Sequence, residues 1–554
     1  MEPFTTHIVT NQPAPLQDYC LYDTDPALRE AVLREGAGTD EAALREHGQW
    51  LGRAETLAAG EAANRHSPEL HAYDQYGHRI DRVRFHPAWH ALMEGIASRG
   101  LHSGAWADPA PGAQAARAAR YLMQGQVEAG TLCPTTMTFG AVPILRAEPP
   151  GALDLARDWL PRLLAPRYDP ADRPAPDKAG LLIGMGLTEK QGGSDVRSNT
   201  TEARPAARGG RGQAYLLVGH KWFLSVPQAD AHLVLARAPE GLSCFLVPRY
   251  VPDGARNAVR IRRLKDKLGN RSNASAEVEF ENAWGMLVGE PGHGVATLIA
   301  MATHTRLDCA LGSAALMRQA LVQAAHHAAG RSAFGRRLAE QPLMRSVLID
   351  LALESEAATA LTMRLARAFD QRADAGAAAL LRIGTPAVKL WVCRRAVAMV
   401  AECLEVLGGN GYVEECVMPR LYRETPVNSI WEGSGNVMAL DVLRALQREP
   451  GVLDALMPEL DAARGQYAAY DAALAAWRGL LAERDAERAQ ALGRTVAGGL
   501  ARLWQAALLI RHAPAFVADA FVAARCAAPG AMAGDLPPQA MDPRILARAW
   551  PPIC

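Results

Sequence analysis

The sequence predicts an α+β multidomain protein whose helical and β segments follow one another along the chain, and three observations predict it. The chain has 554 residues, too long for one ordinary core and enough for three or four domains at about 150 residues each. Its texture changes twice. Ala-, Arg- and Glu-rich helix-like stretches give way near Leu181 to short β-branched and aromatic runs, and after Gly294 apolar residues recur again every three to four positions. Strand and helix do not alternate, as they would in a Rossmann or TIM architecture.

Each segment follows from its own pattern. Residues 1–180 read as an N-terminal helical domain, closed where Pro170, Pro174 and Pro176 crowd one short stretch. Within it, His86-Pro87 reads as a helix start rather than as half of a metal pair with His90, and no metal site is expected. Residues 181–291 read as a middle antiparallel β domain. Its strand-like runs are Ala214–Phe223, Ala231–Ala236, Ser243–Tyr250, Asn257–Leu264 and Ala274–Phe280, separated by turn signals such as Pro252-Asp253-Gly254. Residues 292–445 read as an antiparallel helical bundle, with stripes at Met317, Leu321, Ala324, Ala328 and at Leu361, Leu365, Phe369. Thr385-Pro386 predicts an N-cap that opens a helix toward Leu407. Residues 446–554 read as an Ala-rich C-terminal helical domain ending in a Pro-rich tail.

Charge and composition narrow the function classes. Lys plus Arg and Asp plus Glu are both 59, which excludes a strongly basic nucleic-acid coat and an acidic disordered chain; binding to a polyanion must come from local patches. Only six of the cations are Lys, so the rest are Arg, whose guanidinium stays charged and grips phosphate through two bonds at once. Nine scattered cysteines without a C-x-x-C pair suit a reducing cytosol. No cationic-then-apolar leader is visible, and the longest uncharged run, Ala129 to Leu145, holds Pro134 and Pro143; a cytoplasmic protein with no membrane partner is expected. Phosphate fingerprints are incomplete: Gly184-x-Gly186 lacks a third Gly, and Gly219-His220-Lys221 is no P-loop.

Five segments could carry chemistry. Met185-Gly186-Leu187-Thr188-Glu189-Lys190-Gln191-Gly192-Gly193-Ser194 offers backbone N–H groups and hydroxyls to a flat polar heterocycle or a phosphate, although a surface turn uses the same residues. Trp222-Phe223-Leu224-Ser225 suits stacking on an aromatic ring or a place in the core. Arg331, Phe334 and Gln341 mark a Phe-Gly corner rich in arginine, either a phosphate grip or a solvated interhelix loop. Leu407-Gly408-Gly409-Asn410-Gly411-Tyr412 permits close backbone approach, or caps a helix. In Ile430-Trp431-Glu432-Gly433-Ser434-Gly435-Asn436 a single carboxylate sits beside a Trp, the pairing that raises a carboxylate toward use as a base. A solvated loop glutamate is the plainer alternative.

Together, in order and spacing, these segments resemble the acyl-CoA dehydrogenase flavoprotein superfamily. The resemblance rests on the LTE-x-x-GGSD loop, the W-F-x-S strand, the Lys265-x-Lys267-Leu268-Gly269-x-Arg271 turn, the R-x-x-FG-x-x-L-x-x-Q corner, the GG-x-GY loop and the W-E-G-S-G turn. Thr188–Thr201, His220–Ala236, Ser429–Asn436, Asp81–His90 and the C-terminal extension are similar to its AidB-type alkylation-response group. The resemblance implies an acyl-CoA dehydrogenase-like fold and bound FAD. Met185 to Ser194 would line the flavin ring, with Thr188 and Ser194 donating hydroxyl bonds, and Phe223, Leu224 and Ser225 would flank it. Arg331, Phe334 and Gln341 would reach the cofactor of a neighbouring subunit in a homotetramer, and Ile430 to Leu440, with Asn436 prominent, would close over the flavin. Glu432 would take the α-proton of an acyl-CoA thioester while the β-hydrogen leaves as hydride, the thioester oxygen being held by a backbone N–H and a flavin hydroxyl. Two positions depart from the superfamily pattern: Glu405 stands where Gln is common, and Trp431 replaces a Tyr and would crowd the acyl pocket.

The AidB-type resemblance also implies sequence-independent binding of double-stranded DNA through the C-terminal domain, and protection of that DNA during alkylation. From Leu446 onward eleven Arg balance eleven acids, but from Arg488 onward seven Arg face three Asp. Arg494, Arg502, Arg511 and Arg525 have no acid within five positions and are the phosphate candidates. On a helix, Arg502 and Arg511 point about half a turn apart, so tertiary folding or tetramer symmetry must gather them. The alternatives are a metabolic acyl-CoA dehydrogenase whose extra domain is structural and, more distantly, an acyl-CoA oxidase.

Overall fold

The structure, a computed structural model, describes residues 6–449, 451–527 and 529–550, so Cys554 lies outside the described residues. The chain divides into two compact units: Glu55–Cys309 with Trp431–Ser434, and Met1–Ala54 with Ala310–Ile430 and Gly435–Cys554.

In the first unit, alternation in the sequence becomes a closed sheet. A short hairpin, β1 (Glu69–Tyr73) and β2 (Arg79–Arg84), comes first, closed by an Asp74 side chain that accepts from Tyr76 N and His78 N. The N-terminal domain is helical as expected and also holds this hairpin, where an Asp-x-x-Gly turn joins the two strands. Seven strands follow: β3 (Ile183–Gly186), β4 (Glu202–Pro205), β5 (Ala214–Ser225), β6 (Ala231–Ala238), β7 (Gly241–Pro248), β8 (Val259–Leu264) and β9 (Ser275–Val288). Their pairings run β5–β4–β6–β7–β9 and back to β5, with β3 laid between β5 and β6. The sheet is mixed rather than purely antiparallel, since β3 and β4 run parallel to β6. On β5, Tyr215 and Leu217 are buried while Leu216 and Val218 are exposed, the side-chain alternation of a strand with one face in a core. The helices Ala113–Val127 and Leu132–Arg146 belong to this unit and are buried along most of their length. The uncharged Ala129–Leu145 run thus falls in a core helix. His86 caps the Pro87–Ser98 helix by accepting from Ala88 N at 3.2 Å, as its position before proline predicts.

The second unit is built around the Ala375–Val406 helix, which is long and apolar enough to cross a membrane but has 67% of its apolar window buried inside the protein. Thr385-Pro386 does not start it. Asp374 caps it, accepting from Ala377 N at 2.9 Å, and Pro386 lies inside the helix. The cap wins because its carboxylate satisfies a helix N–H that a mid-helix threonine cannot. The Pro342–Asp370, Val417–Asn428, Gly435–Arg448 and Gly493–His512 helices pack round it. Fully buried Trp504 comes so close that a Cβ on Gly384 would meet its ring at 2.9 Å. Transitions in element type fall near the expected boundaries at 180 and 291, whereas the compact units cut the chain at residues 54 and 309.

Candidate functional site

In the first unit, β3 delivers the Gly-rich loop. Gly186 pairs with Leu224 on β5, and a Cβ there would meet Leu224 Cδ1 at 2.6 Å, so a side chain would push the strands apart. The loop is then fastened from beneath. Glu189, expected at the cofactor, is fully buried and accepts from Lys221 Nζ at 2.6 Å, Thr200 N at 2.7 Å and Thr201 N at 3.1 Å. Burial opposes its ionisation, but Lys221 and the N–H groups outweigh that and hold its carboxyl down at about 2. Its side chain is a strut rather than a ligand to a cofactor, since that carboxylate is spent on five donors of the chain itself. Gln191 returns its amide to Glu189 and Ser198 O, and Lys190 lies exposed beside the Trp222 ring.

What the loop presents is Thr188, half-buried, whose carbonyl accepts from Trp222 N at 2.8 Å, together with the Gly192-Gly193 turn and the exposed Ser194. A Cβ on Gly193 would come within 2.5 Å of Thr188 Oγ1. Next to it on β5, Phe223 leaves 47% of its surface exposed while Leu224 is buried, and Lys265 Nζ lies 3.3 Å from the Trp222 ring centre and 4.6 Å from that of Phe223. An exposed aromatic face, three hydroxyls at Thr188, Ser194 and Ser225, and a turn without side chains suit a flat heterocycle with polar edges; these residues fit a flavin.

Beneath Ser225 the core turns polar. Burial pushes the Cys133 thiol up to about 11; Lys267 opposes that shift and the charge of Glu432 adds to it. Lys267 Nζ donates to Asn273 O at 2.5 Å.

Glu432 stands in the left-handed backbone region at φ 59°, strained for a residue with a Cβ, and Gly433 follows at φ 107°. The Gly294–Gly330 helix holds it there. Thr305 Oγ1 donates to Glu432 Oε2 at 2.6 Å, and Arg306 Nε donates to the Glu432 carbonyl at 3.0 Å. Trp431 packs on a core that includes Met137, Val226 and Met301. One turn beyond Thr305, Asp308 forms a buried two-point pair with Arg117 at 2.7 Å for each bond and accepts from Thr136 at 2.7 Å. His304 sits edge-on to Trp106 and Phe139. Sequence reading missed Thr305, Arg306 and the Arg117–Asp308 pair. The signal was a polar Thr303-His304-Thr305-Arg306 run in a largely apolar helix.

In the second unit, two short strands, β10 (Ser332–Ala333) and β11 (Arg336–Arg337), form a hairpin whose tip is Phe334-Gly335. Both tip residues have positive φ, 53° and 78°, and the Phe334 side chain is wholly exposed. Arg331 Nη1 donates to Asn11 O at 2.7 Å and Gln341 to Ala333 O at 3.0 Å, so both brace the hairpin. Ile430 is exposed and Gly435 buried, while Asn436 accepts from Arg494 Nε at 2.8 Å. Glu405 faces solvent.

The four candidate arginines separate. Arg494 and Arg511 are exposed at opposite ends of the Gly493–His512 helix, and Arg502 is half-buried between them. Arg525 is withdrawn as a phosphate ligand: its Nη2 donates to Asp350 at 2.5 Å and Glu354 at 3.1 Å, with its side chain 11% exposed. Arg548 is likewise spent on Glu30 and Glu356. Among the described residues no three His, Cys, Asp or Glu side chains are grouped to hold a metal.

Comparison with known proteins agrees with this geometry. Residues 11–170 match the family described as the adaptive response protein AidB N-terminal domain, residues 184–283 the acyl-CoA dehydrogenase middle domain, and residues 292–447 the acyl-CoA dehydrogenase C-terminal domain. The chain is 53% identical over 517 residues to the "Putative acyl-CoA dehydrogenase AidB" of Escherichia coli strain K12, covering 93% of this chain and 94% of the relative. Its structure is similar to that of Caenorhabditis elegans ACDH-11 in complex with C11-CoA, with TM-score 0.83, 27% identity, and coverage of 99% of this chain and 93% of the other. A Bacillus anthracis acyl-CoA dehydrogenase complexed with FAD shares the fold, with TM-score 0.63 and 20% identity, over 80% of this chain and 81% of the other. The chain belongs to the acyl-CoA dehydrogenase family of FAD-dependent oxidoreductases, in its AidB-type branch.

Proposed function

We propose that this chain is an FAD-containing, acyl-CoA dehydrogenase-like protein that binds double-stranded DNA without sequence preference and protects it in the adaptive response to alkylation. Its dehydrogenase activity on acyl-CoA is weak or specialised, and it works as a homotetramer in the cytoplasm. The observation that carries the enzymatic part is Glu432, held in a strained backbone conformation by Thr305 and Arg306. A surface glutamate has no need of such a grip.

When bound, FAD supplies a two-electron acceptor for the β-hydrogen of the acyl chain. The rest falls to the chain's own residues. Thr188, Ser194 and Ser225 offer hydroxyls to the polar edges of the ring and Phe223 offers it a face. Glu432 removes the α-proton, a step that needs base and carbon about 3–3.5 Å apart, and Trp431 narrows the space for the acyl group. The DNA part is supported by Arg494 and Arg511 standing exposed on one helix.

A second reading, a metabolic acyl-CoA dehydrogenase with a structural C-terminal domain, is favoured by one observation: Arg525 and Arg548 are ion-paired to carboxylates of the same unit. A salt titration of fluorescent duplex binding separates the two. Affinity that falls steeply with salt supports the first, and no binding at low salt removes the DNA role. Bleaching of the flavin spectrum by a panel of acyl-CoAs, lost in Glu432→Gln, tests the dehydrogenase part in both; peroxide formed from oxygen would point instead to an oxidase.

A further inference from the structure

Thr305 is fully buried, and its hydroxyl has two acceptors in reach: Glu432 Oε2 at 2.6 Å and the Ala302 carbonyl at 3.2 Å. A hydroxyl carries one proton and can also accept. While Glu432 is ionised, the Thr305 proton goes to the nearer and charged acceptor. Once Glu432 carries a proton, that oxygen can donate to Thr305 Oγ1 and the hydroxyl proton turns to Ala302 O. The contact therefore survives the change of charge on the carboxyl group, which a lysine in that place, with no acceptor, would not allow.

The scaffold behind Thr305 is stiff. A Cβ on Gly140 would lie 3.0 Å from Met301 Cγ and 3.7 Å from Thr305 Cγ2, so the Leu132–Arg146 helix presses directly on this turn. The Asp308 pair with Arg117 fixes the next turn, and His304 between Trp106 and Phe139 fixes the other side. The ionisable groups around Glu432 are Arg306, His304 and Asp308 on the Thr305 helix, Arg117 paired to Asp308, Cys133 on the facing helix, and Lys267 beyond it. Burial pushes the Cys133 thiol up to about 11, and Arg306 Nε donates to the Glu432 backbone carbonyl. The Thr305 hydroxyl donates to the Glu432 carboxylate itself.

We propose that Thr305 is a positioning residue for Glu432, holding the carboxylate in place and favouring its ionised form so that it waits as a base rather than as an acid. The proposal rests on the reading of Glu432 as the base. A hydrogen bond to the charged form of a carboxylate lowers its proton affinity, so removing the donor raises it.

The test uses full-length, FAD-loaded protein and the variants Thr305→Val, Thr305→Ala and Thr305→Ser. The pH midpoint of the Glu432 carboxyl is followed by infrared difference spectroscopy, its band identified by loss in Glu432→Gln. Valine and alanine are expected to raise the midpoint by about one pH unit, a tenfold change in proton affinity, and serine to leave it near the native value. With butyryl-CoA as probe, the acidic limb of anaerobic flavin bleaching moves up by the same amount, and its rate falls about tenfold while half-saturation changes little. Alanine removes the hydroxyl without added bulk and is read in place of valine if the latter does not fold. A midpoint unmoved in a folded valine or alanine variant overturns the proposal. If the native protein is not bleached by butyryl-CoA or other acyl-CoAs, the dehydrogenase reading fails, and the infrared midpoint still decides whether Thr305 governs Glu432.

Discussion

The Glu432 corner and the C-terminal arginines are both polar clusters flagged by local sequence, and the fold treats them in opposite ways. At the corner, a carboxylate in a Gly-rich turn receives partners, Thr305 and Arg306, from a helix more than a hundred positions away, and they sharpen its apparent role. In the C-terminal segment, distant partners remove the role. Arg525 looks unpaired in the sequence because no acid lies within five positions, yet Asp350 and Glu354 meet it in the folded chain. The excess of Arg over Asp after residue 488 therefore overstates the positive charge offered to solvent. Charge counted along a chain measures attraction only where the side chains stay in water, because a buried ion pair cancels its own field.

Four experiments break or sharpen that contrast. The largest effect belongs to the corner: Glu432→Gln is expected to slow anaerobic flavin bleaching by acyl-CoA about a thousandfold with little change in thermal stability. A variant that bleaches at the native rate would return Glu432 to the class of ordinary loop residues. Next, Arg525→Ala leaves Asp350 and Glu354 short of a buried countercharge, and urea unfolding should show a loss of about 3 kcal/mol. Its duplex affinity, measured on folded protein, should be native; weakened binding would restore Arg525 as a phosphate ligand.

Acid supplies the third. Burial holds His102 and His232 near pH 4, well below the unfolded value of about 6.5. Between those values the unfolded chain binds the protons first, so stability is present above about pH 6.5 and is lost as pH falls toward 4. The slope is at most about 1.4 kcal/mol per pH unit for each histidine. Both histidines lie in the unit that carries Glu432, so unfolding followed through a probe there should shift with pH over this range. A His232→Gln variant with an unchanged slope would contradict the assignment. The smallest effect is on the tail: Arg494→Ala and Arg511→Ala should each weaken duplex binding a few-fold and lower the salt slope by about one, with melting temperature unchanged. A slope that does not move in either variant would leave the structural reading of the C-terminal domain in possession.

Much of the fold was legible because its signals are local. Alternation marked β5 to β9, and His86-Pro87 marked a helix start. The short β3 and β4 were not read, because strands of four residues carry too few positions for a period to stand out, and the β1–β2 hairpin was passed over inside a stretch of helical texture. Thr385-Pro386 misled because a proline inside a buried helix can be tolerated when neighbours support the chain, and the true cap at Asp374 stood eleven residues earlier.

The sequence by itself determined the family and the order of segments and singled out the carboxylate of Glu432, since each rests on residues whose spacing is short and whose chemistry is in the side chain. Tertiary structure alone decided which charged groups stay available. Glu189 became a strut, Arg525 an internal countercharge and Thr305 a partner of Glu432. Ionisation and hydrogen bonding depend on distances of a few ångströms between residues far apart in the chain, and only folding sets those distances.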